Sequence, residues 1–307
     1  MNAVKLVSTK DMPHEEWLKW RKRGIGGSEA ASISGLNPWS SALKVYMDKV
    51  NEEVESIPDN ERMRVGRDLE DYIAKRFEEA TGKKVRRENF LLQHPEHTFM
   101  IANLDRVIVG ENAFLECKTT SSYGKQDWEE SIPLHYELQC LHYMAVGGFD
   151  YCYIACLIGN EKFTWYKIER DEETISNLIQ IERTFWEENV LKEILPDPDG
   201  SDSCSEMIKQ KYNVSIPETL ELANNYLDKL SRRDSLDELI KGMEKEKKQI
   251  EQEIQLQMKD FERAVVGERV VTWKSQSRTT VDSSKLKEDG LYDTYAKSSS
   301  SRVFKVK

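Results

Sequence analysis

The stretch from Ile101 to Thr120, IANLDRVIVGENAFLECKTT, constrains the fold of this chain more than any other segment. Two apolar runs flank a Gly-Glu-Asn turn, a pattern typical of a β-hairpin. The hairpin nevertheless carries Asp105 on its first arm and Glu116 and Lys118 on its second. Because side chains alternate along a strand, Glu116 and Lys118 share one face and Cys117 points to the other. Asp105, on the antiparallel arm, can lie close to the face of Glu116.

These three charges predict a metal site for phosphodiester hydrolysis. Two carboxylates about 4 Å apart repel each other by roughly 4 kcal/mol at an effective dielectric constant of about 20, and a divalent cation reverses the sign of that interaction. Carboxylate oxygens suit Mg²⁺, which keeps positions for water and a phosphate oxygen. Lys118 could orient the attacking water, help to deprotonate it, or hold the phosphate. The alternative is that Asp–Lys or Glu–Lys pairs simply lie on a solvated strand face, as is common in hairpins.

Helical and strand patterns alternate around the hairpin. Residues 60–81 predict an amphipathic helix, because their apolar positions recur at helical spacing and Gly82 follows at the favoured C-cap. The other predicted elements are helices within 13–50 with a break at 21–41, strands over 83–93, a helix over 133–148, a hairpin over 151–170 and a helix over 171–191. This order predicts a mixed α/β fold with a central mixed sheet flanked by helices.

A linker is predicted at PDPDGSDSC, residues 196–204, because proline, glycine, aspartate and serine cluster there. We therefore expect a first domain over 1–200 and an α-rich C-terminal extension over 201–307 that ends in a short β element. Helices are predicted in the extension over 216–230 and 237–265. A narrow apolar stripe along them is typical of a helix–helix seam. This stripe could pack on the first domain, join protomers or dock a partner protein.

The composition excludes few functions. A net charge of −10 over 307 residues argues against a general nucleic-acid coating protein, whose affinity comes from many phosphate contacts. It does not argue against a nuclease, which can confine positive charge to a channel. The chain has no apolar run of about 18 residues, as a membrane span requires, and its N-terminal segment lacks a signal-peptide core. The five cysteines form no close CxxC pair. We therefore expect a cytoplasmic protein with reduced thiols.

Two polar residues on predicted helices are further candidates for the hairpin site. Glu70 lies in the middle of the helix over 60–81, where it could reach the metal from a second element; the alternative is a solvated helix residue. Gln139 lies on an otherwise apolar helix, where it could belong to the site. The alternative interpretation is a buried side chain that only satisfies hydrogen bonds in the core. His135 and His142 lack the spacing of zinc ligands, so we interpret them as structural or groove-lining residues.

The segment WRKRGIGGSEAA is a candidate phosphate site. Arg21 and Arg23 precede a glycine pair and Ser28. Backbone amides in such a turn favour a phosphate, and an arginine fork would complete the pocket. The alternative is a flexible basic loop before a helix.

Taken together, these segments resemble the YqaJ-like viral recombinases, relatives of the phage lambda-type alkaline exonucleases in the PD-(D/E)XK nuclease superfamily. The resemblance runs from about Trp17 to Pro196 and does not cover the C-terminal extension. It rests on four motifs in order: RKRGIGGSEAASISGLNPW, GRDLEDYIAKRFEEATG, LDRVIVGENAFLECKTT and YELQCLHYMAVGG. Each motif alone is weak, but four in the same order are specific. The fold implied is a PD-(D/E)XK nuclease core.

The resemblance implies a metal site built from Glu70, Asp105, Glu116 and the backbone carbonyl of Cys117. This site would hold one or two Mg²⁺ ions, with Mn²⁺ as a substitute. Lys118 would assist the water nucleophile.

The resemblance also implies roles for residues around the metal. Gln139 would support the metal site. Arg21 and Ser28 would bind the 5′-terminal phosphate of DNA, with Arg23 as a neighbour.

The activity implied is 5′→3′ degradation of one strand of linear double-stranded DNA, which leaves a 3′ overhang for a single-strand annealing protein in phage-type recombination. The resemblance further implies a ring-shaped homotrimer in the cytoplasm of a bacterial host, encoded by a phage or prophage. Two alternatives remain: a PD-(D/E)XK endonuclease, and a non-catalytic DNA- or protein-binding module of the same fold. An iron–sulfur exonuclease is disfavoured, because it needs four cysteine ligands with one early in the chain, and the first cysteine here is Cys117.

Overall fold

The computed structural model of the chain describes residues 3–51, 60–129, 131–298 and 301–306. Its first unit comprises Met1–Tyr212 and its second unit Asn213–Lys307. In the part of the chain that is described, no helix is long and apolar enough to cross a membrane.

The first unit contains nine strands and seven α-helices among its described residues. The strands are β1 (Val4–Ser8), β2 (Ile25–Gly26), β3 (Val85–Arg87), β4 (Phe90–Gln93), β5 (Met100–Ala102), β6 (Arg106–Ile108), β7 (Ala113–Thr120), β8 (Tyr151–Ile158) and β9 (Lys162–Glu169). The helices are α1 (His14–Arg21), α2 (Gly27–Ile33), α3 (Ala42–Val50), α4 (Glu61–Thr81), α5 (Leu134–Gly147), α6 (Glu172–Thr184) and α7 (Asp202–Lys211). A 3-10 turn covers Ser122–Trp128, and π-helical residues Phe185–Val190 continue α6.

The central sheet has five strands in the order β3-β6-β7-β8-β9. The predicted hairpin is confirmed for β6 and β7, which are antiparallel, with Arg106 paired to Leu115. Its first arm is shorter than predicted, because residues 100–102 form β5 of another sheet and Asp105 precedes β6. Strands β7 and β8 are parallel, so the chain must cross over between them, and α5 provides this crossover. Strand β9 returns antiparallel to β8 after a Gly159-Asn160 turn. The predicted mixed α/β fold with a central mixed sheet flanked by helices is therefore confirmed.

Helices α4 and α5 cover opposite faces of this sheet. Ile73 and Phe77 of α4 are buried in one cluster with Leu115 of β7, whereas Phe114 is buried in the other cluster with residues of α5. Asn60 caps α4 by accepting a hydrogen bond from the amide of Met63, and Gly82 ends the helix with a φ of 72°. Glu116 lies two residues after Phe114 and therefore faces α5, while α4 carries Glu70 on the opposite side of the sheet.

A second sheet of four strands has the order β1-β4-β5-β2. The two residues of β2, Ile25 and Gly26, pair in parallel with Met100 and Ile101 of β5. This pairing interrupts the helical pattern of the N-terminal region and places the start of α2 beside the hairpin. Neither β1 nor β2 was predicted. Strand β2 has only two residues, so it is defined by its pairing partner and not by its own periodicity.

The first unit extends beyond the predicted linker. Helix α7 begins at Asp202, and Cys204 is buried in the core with residues of α3. Ser203 lies 3.2 Å from Ser41 between their hydroxyl oxygens. The segment from 202 to 211 therefore folds with the first unit.

The second unit consists of α8 (Tyr226–Met258), β10 (Arg263–Val266), β11 (Arg269–Thr272), α9 (Ser283–Glu288) and α10 (Tyr292–Tyr295). The predicted helix over 216–230 is wrong for residues 216–225, which have no regular structure. The predicted helix over 237–265 is wrong at its end, because α8 ends at Met258 and residues 263–266 form β10, which pairs with β11 in a hairpin. Gly267, with a φ of 58°, makes that turn.

Candidate functional site

Glu116, Lys118 and Gln139 form a closed triangle of hydrogen bonds between β7 and α5. The ammonium of Lys118 donates to Oε1 of Glu116 at 2.8 Å and to Oε1 of Gln139 at 3.0 Å. Nε2 of Gln139 in turn donates to Oε1 of Glu116 at 2.7 Å. The alternation of β7 turns Glu116 and Lys118 toward α5, where Gln139 lies. The three residues are thus brought together, and the side chain of Glu116 is only 5% exposed.

Asp105 joins this group from the residue before β6. Its Oδ2 accepts a hydrogen bond of 2.8 Å from the backbone amide of Cys117, which fixes the carboxyl group beside β7. Burial, followed by the carboxylates of Glu116 and Glu70, raises the pKa of Asp105 well above its usual range. Asp105 is half-buried and Glu116 is buried, and two neighbouring carboxyl groups of this kind oppose each other's ionisation until a cation compensates them.

One oxygen of Glu116 has no partner. Oε1 accepts from Lys118 and Gln139, whereas Oε2 is buried and accepts no hydrogen bond from any described residue. A buried polar atom without a partner carries a free-energy penalty, so it calls for an explanation. An Mg²⁺ ion would supply one, because hard carboxylate oxygens are its usual protein ligands. The donor set of Asp105 and Glu116 therefore fits a divalent cation.

Glu70 is held elsewhere by Arg106. The guanidinium of Arg106 donates to the carboxylates of Glu70 and Asp71 on α4 and to the backbone carbonyl of Asp105. Arg106 pairs with Leu115 and so faces α4, where its side chain is 4% exposed. Among the described residues, no three histidine, cysteine, aspartate or glutamate side chains are arranged as a ready metal site. Glu70 lies close enough to raise the pKa of Asp105, but its carboxylate is bound to Arg106.

Arg106 was not predicted from the sequence. Strand register could have indicated it: Arg106 pairs with Leu115, so its side chain faces the helix that covers that side of the sheet. The thiol of Cys117 also faces this side, where burial and then Asp105 raise its pKa well above the usual range. The thiol therefore stays protonated, and the predicted role of Cys117 concerns its backbone carbonyl only.

Arg21 and Ser28 lie in the same cavity as the carboxyl pair. This cavity of about 160 Å³ is lined by Trp17, Arg21, Gly26, Ser28, Leu91, Ile101, Asn103, Asp105, Glu116, Gln139 and Tyr143. Arg21 donates from Nη2 to the hydroxyl of Ser28 at 3.0 Å and packs against the ring of Trp17, with 5.0 Å between Cζ and the ring centroid. The cavity thus combines carboxyl groups with a guanidinium.

Arg23 is not part of this cavity. It is exposed, and its guanidinium packs on the ring of Trp20 with 4.1 Å between Cζ and the ring centroid. The glycines of the motif also have internal roles. The amide of Gly26 donates to Oε2 of Glu29 at 2.8 Å, and a Cβ on Gly27 would lie 2.6 Å from the ring of Tyr143. Gly27 is therefore required where α2 packs closely against α5.

Of the two histidines on α5, His142 is a core residue. It is fully buried, its Nδ1 lies 2.8 Å from Oε1 of Glu182, and its Nε2 lies 3.0 Å from the carbonyl oxygen of Ile101. Burial lowers the pKa of His142, but Glu182 more than offsets this, and the pKa is raised above its usual value. His135 is half-buried and packs on Tyr136, with 4.0 Å between ring centroids. Neither side chain lines the cavity.

Comparisons with known proteins agree with the motifs. Residues 16–150 match the family model of the YqaJ-like viral recombinase domain. The chain is 38% identical to the uncharacterized protein YqaJ of Bacillus subtilis (strain 168) over 311 residues, which cover 99% of this chain and 98% of that protein. Sequence similarity of this extent covers both structural units.

Solved structures show weaker overall similarity. The alkaline exonuclease LHK-Exo from Laribacter hongkongensis is 19% identical, with a TM-score of 0.48 over 65% of this chain and 98% of that chain. A phage-related exonuclease from Haemophilus somnus 129PT is 12% identical, with a TM-score of 0.43 over 58% of this chain and 99% of that chain. By its matching domain and by its identity to YqaJ along nearly its whole length, this chain belongs to the YqaJ-like viral recombinase family.

Proposed function

We propose that the protein is a Mg²⁺-dependent 5′→3′ exonuclease that acts on linear double-stranded DNA and leaves 3′ single-stranded overhangs for recombination by single-strand annealing. The observation that carries this proposal is the single cavity that Asp105 and Glu116 share with Arg21 and Ser28. Its carboxyl groups suit a divalent cation, and its guanidinium and hydroxyl suit a phosphate. A terminal phosphate bound by Arg21 would direct the next phosphate of the strand toward the carboxyl groups.

The cation-binding residues would be Asp105 and Glu116, joined by Glu70 and the backbone carbonyl of Cys117. One or two Mg²⁺ ions, or Mn²⁺ in their place, would supply Lewis-acid stabilisation of the phosphate charge and lower the pKa of water. The unpartnered Oε2 of Glu116 and the raised pKa of Asp105 support this assignment.

Lys118 and Gln139 would orient the reacting groups. The ammonium of Lys118 is fixed by Glu116 and Gln139, so it has a defined position from which to orient the attacking water and to bind the phosphate. Gln139 holds both partners at once, because its amide donates to Glu116 and its carbonyl accepts from Lys118. Removal of Gln139 would therefore loosen the carboxylate and the ammonium together.

The same proposal includes a homotrimer, a single-strand annealing protein as partner, and a cytoplasmic location in a bacterial host. Ring-shaped assembly would keep the enzyme on its DNA during successive cleavages. The alternative of an endonuclease uses the same metal site, and what favours an end-directed enzyme is Arg21 in the shared cavity. A non-catalytic module is disfavoured, since it could lose any of the catalytic positions, whereas Glu70, Asp105, Glu116, Lys118 and Gln139 are all present.

The proposal is tested by incubation of the purified protein with two DNAs, with Mg²⁺ or with a chelator. One DNA is a linear duplex with 5′-phosphates and a label at the 5′ or the 3′ end, and the other is a covalently closed circle. We expect Mg²⁺-dependent loss of the 5′ label while the circle stays intact. Cleavage of the circle would indicate an endonuclease. Binding of both DNAs without cleavage would indicate a non-catalytic module.

A further inference from the structure

A partly buried ion network of Glu29 and Lys49 holds Arg21. Glu29 of α2 accepts from Nη2 of Arg21 at 3.3 Å and from the amide of Gly26 at 2.8 Å. Lys49 of α3 donates to both carboxylate oxygens of Glu29, at 2.9 and 2.8 Å, and to the backbone carbonyl of Arg21 at 2.9 Å. Three successive helices thus meet at one carboxylate.

Lys49 is unusual because its side chain is 0% exposed. It lies on the buried face of α3 with Val45 and Tyr46, where an apolar residue would ordinarily be found. Burial of an ammonium group is costly unless it is paired and fully hydrogen-bonded. The contacts of Lys49 to Glu29 and to the carbonyl of Arg21 provide that pairing. A contribution to packing alone would not require a charge at this position.

The network contains two cations and one carboxylate. Burial raises the pKa of Glu29, but Lys49 and then Arg21 more than offset this, so the pKa is lowered and the group is ionised. Glu29 therefore holds the guanidinium of Arg21, and Lys49 compensates the charge of Glu29. One positive charge remains in excess beside the cavity, where it favours an anion.

We infer that Glu29 and Lys49 are positioning residues, which fix the guanidinium of Arg21 so that the cavity distinguishes a terminal phosphate monoester from a terminal hydroxyl. This inference rests on the proposed function, because it assigns to Arg21 the binding of a DNA end. Charge-assisted hydrogen bonds to a planar guanidinium are strongly directional, so a loosened Arg21 would still attract DNA but would distinguish its ends less well.

The test compares end recognition in a double variant, Glu29→Gln with Lys49→Met. The double variant removes one negative and one positive charge, so the net charge of the network is unchanged. The glutamine keeps the shape of the glutamate, and the methionine fills the volume of the lysine stem without leaving a buried unpaired ammonium. A matched control, Glu111→Gln with Lys83→Met, removes an ion pair of 2.6 Å that lies outside the cavity.

The measurement is the dissociation constant of two hairpin duplexes of the same sequence, one with a 5′-phosphate and one with a 5′-hydroxyl, by fluorescence anisotropy in the presence of a chelator. We expect the affinity ratio between the two ends to fall about tenfold in the double variant, because the hydrogen bond that Arg21 donates to a carboxylate is replaced by a weaker one to an uncharged amide oxygen. Affinity for the hydroxyl end should change little. The control variant should keep the wild-type ratio, and circular dichroism should show that both variants are folded.

The possible results separate the inference from the proposed function. If the wild-type protein binds both ends equally, recognition of the 5′ end and with it this part of the proposed function is wrong. If the wild-type ratio is high and Arg21→Ala abolishes it, but the folded double variant keeps it, then Glu29 and Lys49 do not position Arg21. If the double variant is unfolded, the single substitution Glu29→Asp takes its place, because it keeps the charge and shortens the side chain. We expect Glu29→Asp to lower the affinity ratio as well. An unchanged ratio in this variant would overturn the inference.

Discussion

The two ends of the cavity are opposites in charge but similar in construction. At one end, Asp105 and Glu116 provide two carboxyl groups, and Lys118 provides one ammonium. At the other end, Arg21 and Lys49 provide two cations, and Glu29 provides one carboxylate. In each case the minority charge is partly buried and holds a majority charge in place. The carboxyl end therefore lacks one positive charge for neutrality, and the arginine end lacks one negative charge.

The two ends also differ in the elements that build them. The carboxyl end is set by β7 and by α5, which covers one face of the central sheet. The arginine end is set by α1, α2 and α3, which meet through side chains and not through a strand ladder. Side-chain contacts adjust more easily than a hydrogen-bonded sheet. We therefore expect substitutions at the carboxyl end to affect cleavage, and substitutions at the arginine end to affect the choice of DNA end.

The largest expected effect comes from Glu116→Gln. This substitution removes the carboxylate that carries the unpartnered oxygen while leaving an amide that still hydrogen-bonds to its neighbours. Cleavage of linear duplex should fall by at least about 10³-fold, because metal stabilisation of the phosphate charge contributes several kcal/mol. The initial rate of release of a 5′ label in saturating Mg²⁺ measures the loss.

A control for this variant is Glu111→Gln, which changes an exposed glutamate in the turn between β6 and β7 and should retain the wild-type rate. The Glu116 variant should also keep the ratio of affinities for phosphate and hydroxyl ends, since Arg21 is unchanged. If the Glu116→Gln variant cleaved DNA at the wild-type rate, Glu116 would not be a ligand of the metal. A lost affinity ratio would show that the two ends of the cavity do not act separately.

A smaller effect is expected from Arg21→Ala. The affinity ratio between 5′-phosphate and 5′-hydroxyl ends should fall about 10- to 100-fold, because a hydrogen bond to a charged group contributes about 1.5–3 kcal/mol. Cleavage of the 5′-hydroxyl duplex, measured at saturating DNA, should stay near the wild-type rate. Anisotropy and cleavage assays on the same pair of duplexes check both statements. A variant that loses cleavage of both duplexes equally would place Arg21 in the reaction itself.

The sequence could predict the carboxyl end better than the arginine end. Alternation along one strand is enough to put Glu116 and Lys118 on one face, and Gln139 was detectable as a polar residue on an apolar helix. The arginine end depends on contacts between helices, and the spacing of residues within one helix does not predict such contacts. Lys49 did leave a signal, since it interrupts the apolar face of α3. The contact of Arg106 with Glu70 could not be predicted from periodicity either, because it depends on strand register and on the position of α4.

The second unit shows the same limit in the fold. Ile216, Leu220 and Ala223 recur at helical spacing, yet residues 216–225 have no regular structure. Local periodicity is therefore not sufficient to predict a helix. By contrast, α4 has a capping asparagine, a buried stripe and a terminal glycine, and its predicted bounds differ from the structure by one residue.

The smallest expected effect comes from Arg23→Ala, which removes a positive charge that lies outside the cavity. Arg23 was predicted beside the phosphate site, but its guanidinium lies on the ring of Trp20 and is exposed. Its charge can still attract DNA, so its loss should weaken binding to both kinds of end by less than about threefold and leave their ratio unchanged. Anisotropy titrations at two salt concentrations measure both effects. A ratio that falls as far as in Arg21→Ala would mean that Arg23 moves into the cavity when DNA binds, and that the arginine end has two phosphate-binding guanidinium groups.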